Sequence, residues 1–369
     1  MFAFTTHKTR YGLYLKYMKK FTILIVLSIV SFILLGIFVF KKRVIIKNPL
    51  IKTAYLPDKK IVNSPISIDY LRSLKVDSKK LLIEKELENG SNYKQYISSF
   101  LSEGNKVFGL LTVPTEQKPI KGFPVIIFNH GYIPPSQYVT TEGYVTYVDY
   151  LAKNGFVVFK IDFRGNGKSE GDASGSYFSS AYTIDAISAL KSLQKYDVVD
   201  PKRIGMWGHS MAGNLVFRAM LVSNEIKAGA IWSGAVYSYK DFVKYQISDN
   251  SYVHRPYERK TGVAQKDRET SPEIQKIRSN PEIIDFNSDF WKAISLTENV
   301  KYLSRPLQIH HAIDDLIIDI GYSRDLVKVL KANSKKYEFY EYEDGGHNIA
   351  SPSFETAMER TVRFFKGNL

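Results

Sequence analysis

Hydrophobic and polar positions divide the chain into three regimes. Phe21–Phe40 is an uninterrupted apolar run of twenty residues without a charge, bracketed by Lys16, Lys19 and Lys20 before it and by Lys41, Lys42 and Arg43 after it. As a helix it would span about 30 Å, the hydrocarbon thickness of a bilayer. The run exceeds a signal-peptide core and ends in Lys-Lys-Arg instead of small residues, so a retained transmembrane helix is expected at 21–40, with the lipid bilayer as a partner. Residues 1–20 then form a basic tail. Residues 41–75 are polar and Lys-rich with Pro49, Pro57 and Pro65, and read as a stalk. A folded domain is expected over 76–369.

Inside that domain the period changes repeatedly. Tyr93–Leu101 and Lys106–Val113 are short runs rich in β-branched and aromatic residues, joined by Ser102-Glu103-Gly104-Asn105, a hairpin signal. After Pro114, buried-strand runs alternate with amphipathic helices. The strands are expected at Pro124–Asn129, Phe156–Asp162, Arg203–Gly208, Ala228–Ser233, Leu307–His310 and Tyr337–Tyr342. The helices are expected at Gly143–Asn154, Ser180–Tyr196, Met211–Val222, Gly321–Ala332 and Ser353–Lys366. Repeated β-then-α order predicts an α/β fold with a mostly parallel central sheet and helices on both faces. Tyr237–Val300 breaks the rhythm: it is polar, carries Pro256, Pro272 and Pro281, and is expected to be a helical cap insertion over the strand ends.

Composition narrows the function class. The 44% hydrophobic and 24% charged residues are globular values and exclude a mainly disordered chain. The absence of cysteine excludes a disulfide framework, thiolate metal sites and a cysteine nucleophile. The net charge of +14 would suggest nucleic acid, but residues 1–60 hold twelve Lys/Arg against Asp58 alone. The folded domain therefore lacks the charge for a basic groove, and nucleic acid is not an expected partner. Five cations lie on each side of the apolar run within fifteen residues, so the positive-inside rule is balanced. A short tail with five cations is costly to translocate, whereas large carboxyl-terminal domains cross readily. The folded domain is accordingly expected outside the cytoplasm.

The chemistry lies at strand ends. Gly208-His209-Ser210-Met211-Ala212-Gly213 stands where a strand runs straight into a helix. Such a turn strains the serine and lifts its hydroxyl above the sheet, provided the positions two before and two after are small. Gly208 and Ala212 meet that need. Ser210 is then the candidate nucleophile, and Met211 supplies a backbone N–H for an oxyanion at the positive end of the helix. Asp314, after Leu307–His310, is the candidate acid, with Asp315 and Asp319 as alternatives. His347, after Tyr337–Tyr342 and the pair Gly345-Gly346, is the candidate base. The chain order Ser, acid, His is the one this strand-turn-helix arrangement requires. Asn129-His130-Gly131-Tyr132 follows the first parallel strand, and the N–H of Tyr132 is the second candidate oxyanion donor. Arg164 and Asp162 are expected as structural ion-pair members. His209, His310 and His311 read as packing or loop residues. No H-E-x-x-H or comparable spacing appears, and neither metal nor cofactor is expected.

These motifs together resemble the α/β-hydrolases, and within them the prolyl oligopeptidase-type serine peptidases and dienelactone hydrolase-like enzymes. The resemblance runs from about Tyr93 to Phe365. It rests on Gly104 with Val107–Pro114, Asn129–Tyr132, Asp162–Gly171, Gly208–Gly213, Ile309–Asp314 and Gly345–His347. It implies the α/β-hydrolase fold, the catalytic set Ser210, Asp314 and His347, and oxyanion donors at Tyr132 and Met211. Two departures bear on substrate class. The stretch before Tyr93 is too short for the β-propeller of the large peptidases, and His310-His311 replaces the His-Gly expected before the acid. The resulting expectation is a membrane-anchored serine hydrolase acting on a small peptide through an acyl-enzyme, with ester hydrolysis as the alternative. An inactive hydrolase fold used for binding is the alternative of another class.

Overall fold

The computed structural model describes residues 64–173, 175–246, 276–277 and 280–369. The basic tail, the apolar run 21–40, residues 41–63 of the stalk and the middle of the insertion lie outside the described residues. Among the described residues, no helix is long and apolar enough to cross a membrane.

A nine-stranded sheet organises the domain, in the order β1-β2-β3-β5-β4-β6-β7-β8-β9. Its strands are β1 Leu82–Glu86, β2 Tyr93–Ser102, β3 Asn105–Pro114, β4 Phe123–Asn129, β5 Val157–Ile161, β6 Val199–His209, β7 Gly229–Trp232, β8 Leu307–Ala312 and β9 Tyr337–Tyr342. Pairings β1–β2, β2–β3 and β3–β5 are antiparallel, and every pairing from β5 through β9 is parallel. The β2–β3 hairpin turns through Glu103 (φ 47°) and Gly104 (φ 84°). Two left-handed residues match the twist of the flanking strands.

The helices are α1 Ile68–Ser73, α2 Val145–Lys153, α3 Ala181–Leu193, α4 Met211–Val222, α5 Tyr239–Tyr245, α6 Asp289–Ile294, α7 Gly321–Ala332 and α8 Ser353–Asn368. Parallel strands are buried on both faces, so alternate side chains of one strand feed opposite cores. Val125 and Ile127 of β4 join α3, α4 and α7 on one face. Ile126 and Phe128 join α2 and α8 on the other.

Two expectations about organisation need correction. The folded domain begins before residue 76: Ser67 caps α1, and Ile66, Ile68 and Leu71 are buried. The guanidinium of Arg72 donates to the carbonyl of Leu221, at the end of α4. The later part of 237–300 is not a cap. It must return the chain from the end of β7 to the start of β8, and Phe290, Trp291, Ile294 and Val300 are buried in the same core as α4.

Topology fixes where a site can form. β4 is followed leftward by β5, and the chain then crosses to β6 on the right of β4. The crevice above a parallel sheet opens where the winding reverses, at the carboxyl ends of β4 and β6. Register pairs Asn129 with Gly208, so the residues following each emerge side by side.

Candidate active site

Ser210 occupies the turn between β6 and α4 with φ 55° and ψ −122°, a region that costs a side-chain-bearing residue about 1–3 kcal/mol. The surroundings hold it there. Its N–H donates to the carbonyl of Trp232 (2.9 Å), and its own carbonyl accepts from the N–H of Gly213 (2.8 Å). A Cβ at position 208 would lie 2.6 Å from the carbonyl oxygen of Ala212 and 2.7 Å from Val216. Glycine is therefore required at 208, whereas alanine is accommodated at 212. Met211 opens α4, where helix N–H groups lack intrahelical partners.

The His130-Gly131 turn after β4 presses against this serine. A Cβ at 131 would sit 3.1 Å from Ser210 Cβ and 2.6 Å from the hydroxyl of Tyr144. The N–H of Gly131 donates to that hydroxyl (2.9 Å). Tyr132, next in the chain, is partly exposed at the mouth of the crevice.

The imidazole of His347 arrives from the loop after β9, on a short 3-10 turn at Gly346–Asn348. Gly345 (φ 113°) and Gly346 (φ 57°) make that approach possible. Its Nδ1 lies 2.8 Å from Oδ2 of Asp315. Asp314, the acid expected from the sequence, does not reach the ring: it is exposed and accepts the backbone N–H of Gly346 (2.8 Å). Asp319 is also exposed and accepts the N–H of Gly321 (2.6 Å). The correction has a local cause. After β8 the chain turns at Ile313-Asp314, which throws both side chains outward and directs the next one in. Asp315 is then pinned on every side. Oδ1 accepts the N–H groups of Ile317 and Ile318, both at 2.9 Å. Oδ2 receives His347 and, at 3.2 Å, His311. Burial alone would raise its pKa, but hydrogen bonds from His311 and His347 hold the carboxyl well below its usual range. An ionised Asp315 fixes the proton of His347 on Nδ1 and leaves Nε2 as the free base.

Two of the three histidines read from the sequence as packing groups are tied to this centre. His311 Nε2 donates to the carbonyl of Ile318 (2.9 Å), and its Nδ1 meets Ser323 (2.7 Å), which aims the ring at Asp315. His209 Nε2 contacts the carbonyl of His347 at 2.7 Å, and Nδ1 contacts the hydroxyl of Tyr144 at 2.8 Å. The rings of His209 and His347 are 4.6 Å apart. Among the described residues no hydrogen bond joins Ser210 Oγ to His347. The backbone of His347 is instead tied to His209, the residue preceding Ser210. His310, by contrast, is buried away from this cluster with Gln308 and Tyr342 (both 2.7 Å), as expected of a packing residue.

The loop after β5 is structural, with one revision. Arg164 pairs with buried Asp185 (2.6 Å) and with Glu103 (2.7 Å). Asp162 is not in that pair. Its carboxyl accepts the hydroxyls of Tyr138 (2.9 Å) and Thr140 (2.5 Å), and burial pushes its pKa up to about 6. Among the described residues no group of three His, Asp or Glu side chains is arranged to hold a metal ion. A cavity of about 590 Å³ beside Pro124, Phe156 and Arg203 lies at the opposite, amino-terminal ends of β4, β5 and β6 and plays no part in this geometry.

A strained serine at a strand-to-helix turn, set at the switch point of a mostly parallel sheet, defines an α/β-hydrolase. Residues 123–351 match the model of the serine aminopeptidase S33 family, and the chain belongs to that family. Among curated relatives, the uncharacterized peptidase YtmA of Bacillus subtilis is 29% identical over 143 residues, covering 38% of this chain and 51% of that one. The chain spans about half, or less, of the length of the first curated relatives it matches. Among solved structures, the acylaminoacyl peptidase of Pyrococcus horikoshii superposes with a TM-score of 0.59 at 21% identity, covering 76% of this chain and 42% of that one. The acetyl xylan esterase of Paenibacillus sp. R4 superposes with a TM-score of 0.60 at 16% identity, covering 85% and 95%. At these identities the structural likeness shows the fold alone.

Proposed function

We propose that this chain is a serine hydrolase that cleaves amide bonds of small peptides through an acyl-enzyme on Ser210. The observation that carries the reading is the imidazole of His347, held by a buried carboxylate on a loop bonded to His209, the residue before a serine in strained backbone geometry. In the proposed reaction His347 Nε2 takes the proton of Ser210 as Oγ attacks the carbonyl carbon. The hydroxyl-to-imidazole hydrogen bond closes on substrate binding, as such contacts commonly tighten in the Michaelis complex. The N–H groups of Met211 and Tyr132 receive the oxyanion. The imidazolium, stabilised by Asp315, protonates the leaving amine, and water then repeats the sequence on the acyl-enzyme. The family membership and the peptidase relatives support amide cleavage.

A second reading, ester hydrolysis, is favoured by one observation. The acetyl xylan esterase is matched over 95% of its own length, the acylaminoacyl peptidase over 42%. We further propose that residues 21–40 anchor the chain in a bilayer with the catalytic domain outside the cytoplasm, a reading supported by the sequence pattern.

A fluorophosphonate probe should label the wild type and leave Ser210→Ala unlabelled. Folded wild type that takes no label would turn the assignment towards an inactive binding module. Rapid turnover of aminoacyl anilides beside slow turnover of p-nitrophenyl esters would support the peptidase, and the reverse would support the esterase. Protease shaving of intact cells should digest the domain; digestion only after lysis would overturn the orientation.

A further inference from the structure

Resting on the hydrolase reading, we propose that Tyr144 and His209 form a positioning relay that fixes the base loop and the oxyanion loop relative to each other. The contacts allow one self-consistent proton arrangement. The carbonyl of His347 can only accept, so His209 carries its proton on Nε2 and donates there (2.7 Å). Its Nδ1 is then an acceptor and takes the hydroxyl proton of Tyr144 (2.8 Å). The oxygen of Tyr144 in turn accepts the N–H of Gly131 (2.9 Å). A single directed chain thus runs from Gly131 N–H through Tyr144 and His209 to the backbone of His347. It links the segment after β4 and the end of β6 to the loop after β9, a strand that pairs with neither.

The electrostatics favour this one state. Burial, reinforced by the neighbouring His347, lowers the pKa of His209 to about 3. It stays neutral while His347 becomes an imidazolium during turnover, and no second cation forms 4.6 Å away. Burial also keeps the Tyr144 hydroxyl protonated, with its pKa raised above the ordinary value. Two consequences follow for the reaction. Residue 347 is anchored at two points, its carbonyl by His209 and its ring by Asp315, which limits movement of the loop that carries it. The N–H of Gly131 is engaged by Tyr144, which leaves the next N–H, that of Tyr132, to face an oxyanion.

The test compares Tyr144→Phe, His209→Gln, His209→Asn and the double variant Tyr144→Phe/His209→Gln. Fluorophosphonate titration counts working sites, and p-nitrophenyl acetate turnover is then expressed per titrated site, so partial misfolding is removed from the rate. Tyr144→Phe keeps the ring that packs on Phe128 and Trp207 and should fold. Each lost hydrogen bond should lower kcat per site by roughly ten- to a hundredfold with KM changed by less than about threefold. The amide nitrogen of glutamine stands where imidazole Nε2 stood, so His209→Gln should retain more kcat than His209→Asn. Because both residues serve one chain, the double variant should lose no more than the worse single change. Unchanged kcat per site in Tyr144→Phe and His209→Asn, or losses that multiply in the double variant, would overturn the relay. A wild type that takes no label fails the hydrolase reading itself, and the relay falls with it.

Discussion

His347 Nδ1 lies 2.8 Å from Asp315 Oδ2, while Asp314, one residue earlier, accepts the backbone N–H of Gly346. Neighbouring carboxylates thus have separate partners, one buried and directed at the imidazole, the other exposed and bonded to the loop that carries the imidazole. Asp315→Asn should lower kcat by about 10³–10⁴ by losing the charge that selects the tautomer. Asp314→Asn keeps an acceptor for Gly346 and should stay within about threefold of wild type. Steady-state kinetics on the two purified variants decide the matter, and a larger loss at 314 would reverse the assignment.

The small residues around the nucleophile are not equivalent. Gly131→Ala would drive a methyl group to 2.6 Å from the Tyr144 hydroxyl and 3.1 Å from Ser210 Cβ. Its fluorophosphonate labelling rate should fall at least about tenfold, since close displacements at a reacting centre are costly. Ala212→Gly removes a methyl the helix already accommodates. It should leave labelling unchanged and cost about 0.5–1 kcal/mol of stability in a thermal or urea melt.

Asp162 predicts a pH effect on stability with a definite sign. Its folded pKa is raised by burial to about 6 from the model-compound 3.8, so the folded state binds the proton more tightly than the unfolded one. Its contribution is fully favourable below pH about 4 and is lost as pH rises through about 6. Asp162→Asn removes this dependence. Urea unfolding at pH 4, 5 and 6 should show the variant gaining on wild type as pH rises, by about 2 kcal/mol across that range. A constant difference across that range would contradict the prediction.

Arg164 contrasts a buried and an exposed ion pair on one guanidinium. Asp185 is fully buried and Glu103 is half exposed. Asp185→Asn leaves the buried cation with only the half-exposed Glu103 as counter-charge and should cost about 3 kcal/mol. Glu103→Gln should cost under about 1 kcal/mol, and equilibrium denaturation separates the two.

Most of the framework was legible because parallel strands buried on both faces give apolar runs that alternate with helical periodicity. The β2–β3 hairpin, the elbow at Ser210 and the glycine pair before His347 each combine a residue type with a steric need. The failures are equally physical. β1 is exposed along its whole length and so carries no alternation to detect. Asp314 and Asp315 follow β8 directly, and once the chain leaves the strand, parity no longer says which side chain points inward. A local signal did exist: an aspartate whose oxygen can cap the N–H groups two and three residues on, with a histidine four before it. Tyr144 and His209 carried no signal, because their partners lie on loops distant in the chain.

The docking of Arg72 onto the last turn of α4 places the amino-terminal edge of the domain against the far end of the helix that starts at Ser210. Ile66 and Ile68 lie in the same core as that helix. Trimming the protein at residue 76 would strip apolar cover from the base of this rod and leave its reactive tip untouched. Such a fragment should lose solubility and stability while the turn at Ser210 keeps its shape, and that would set the lower limit of the domain.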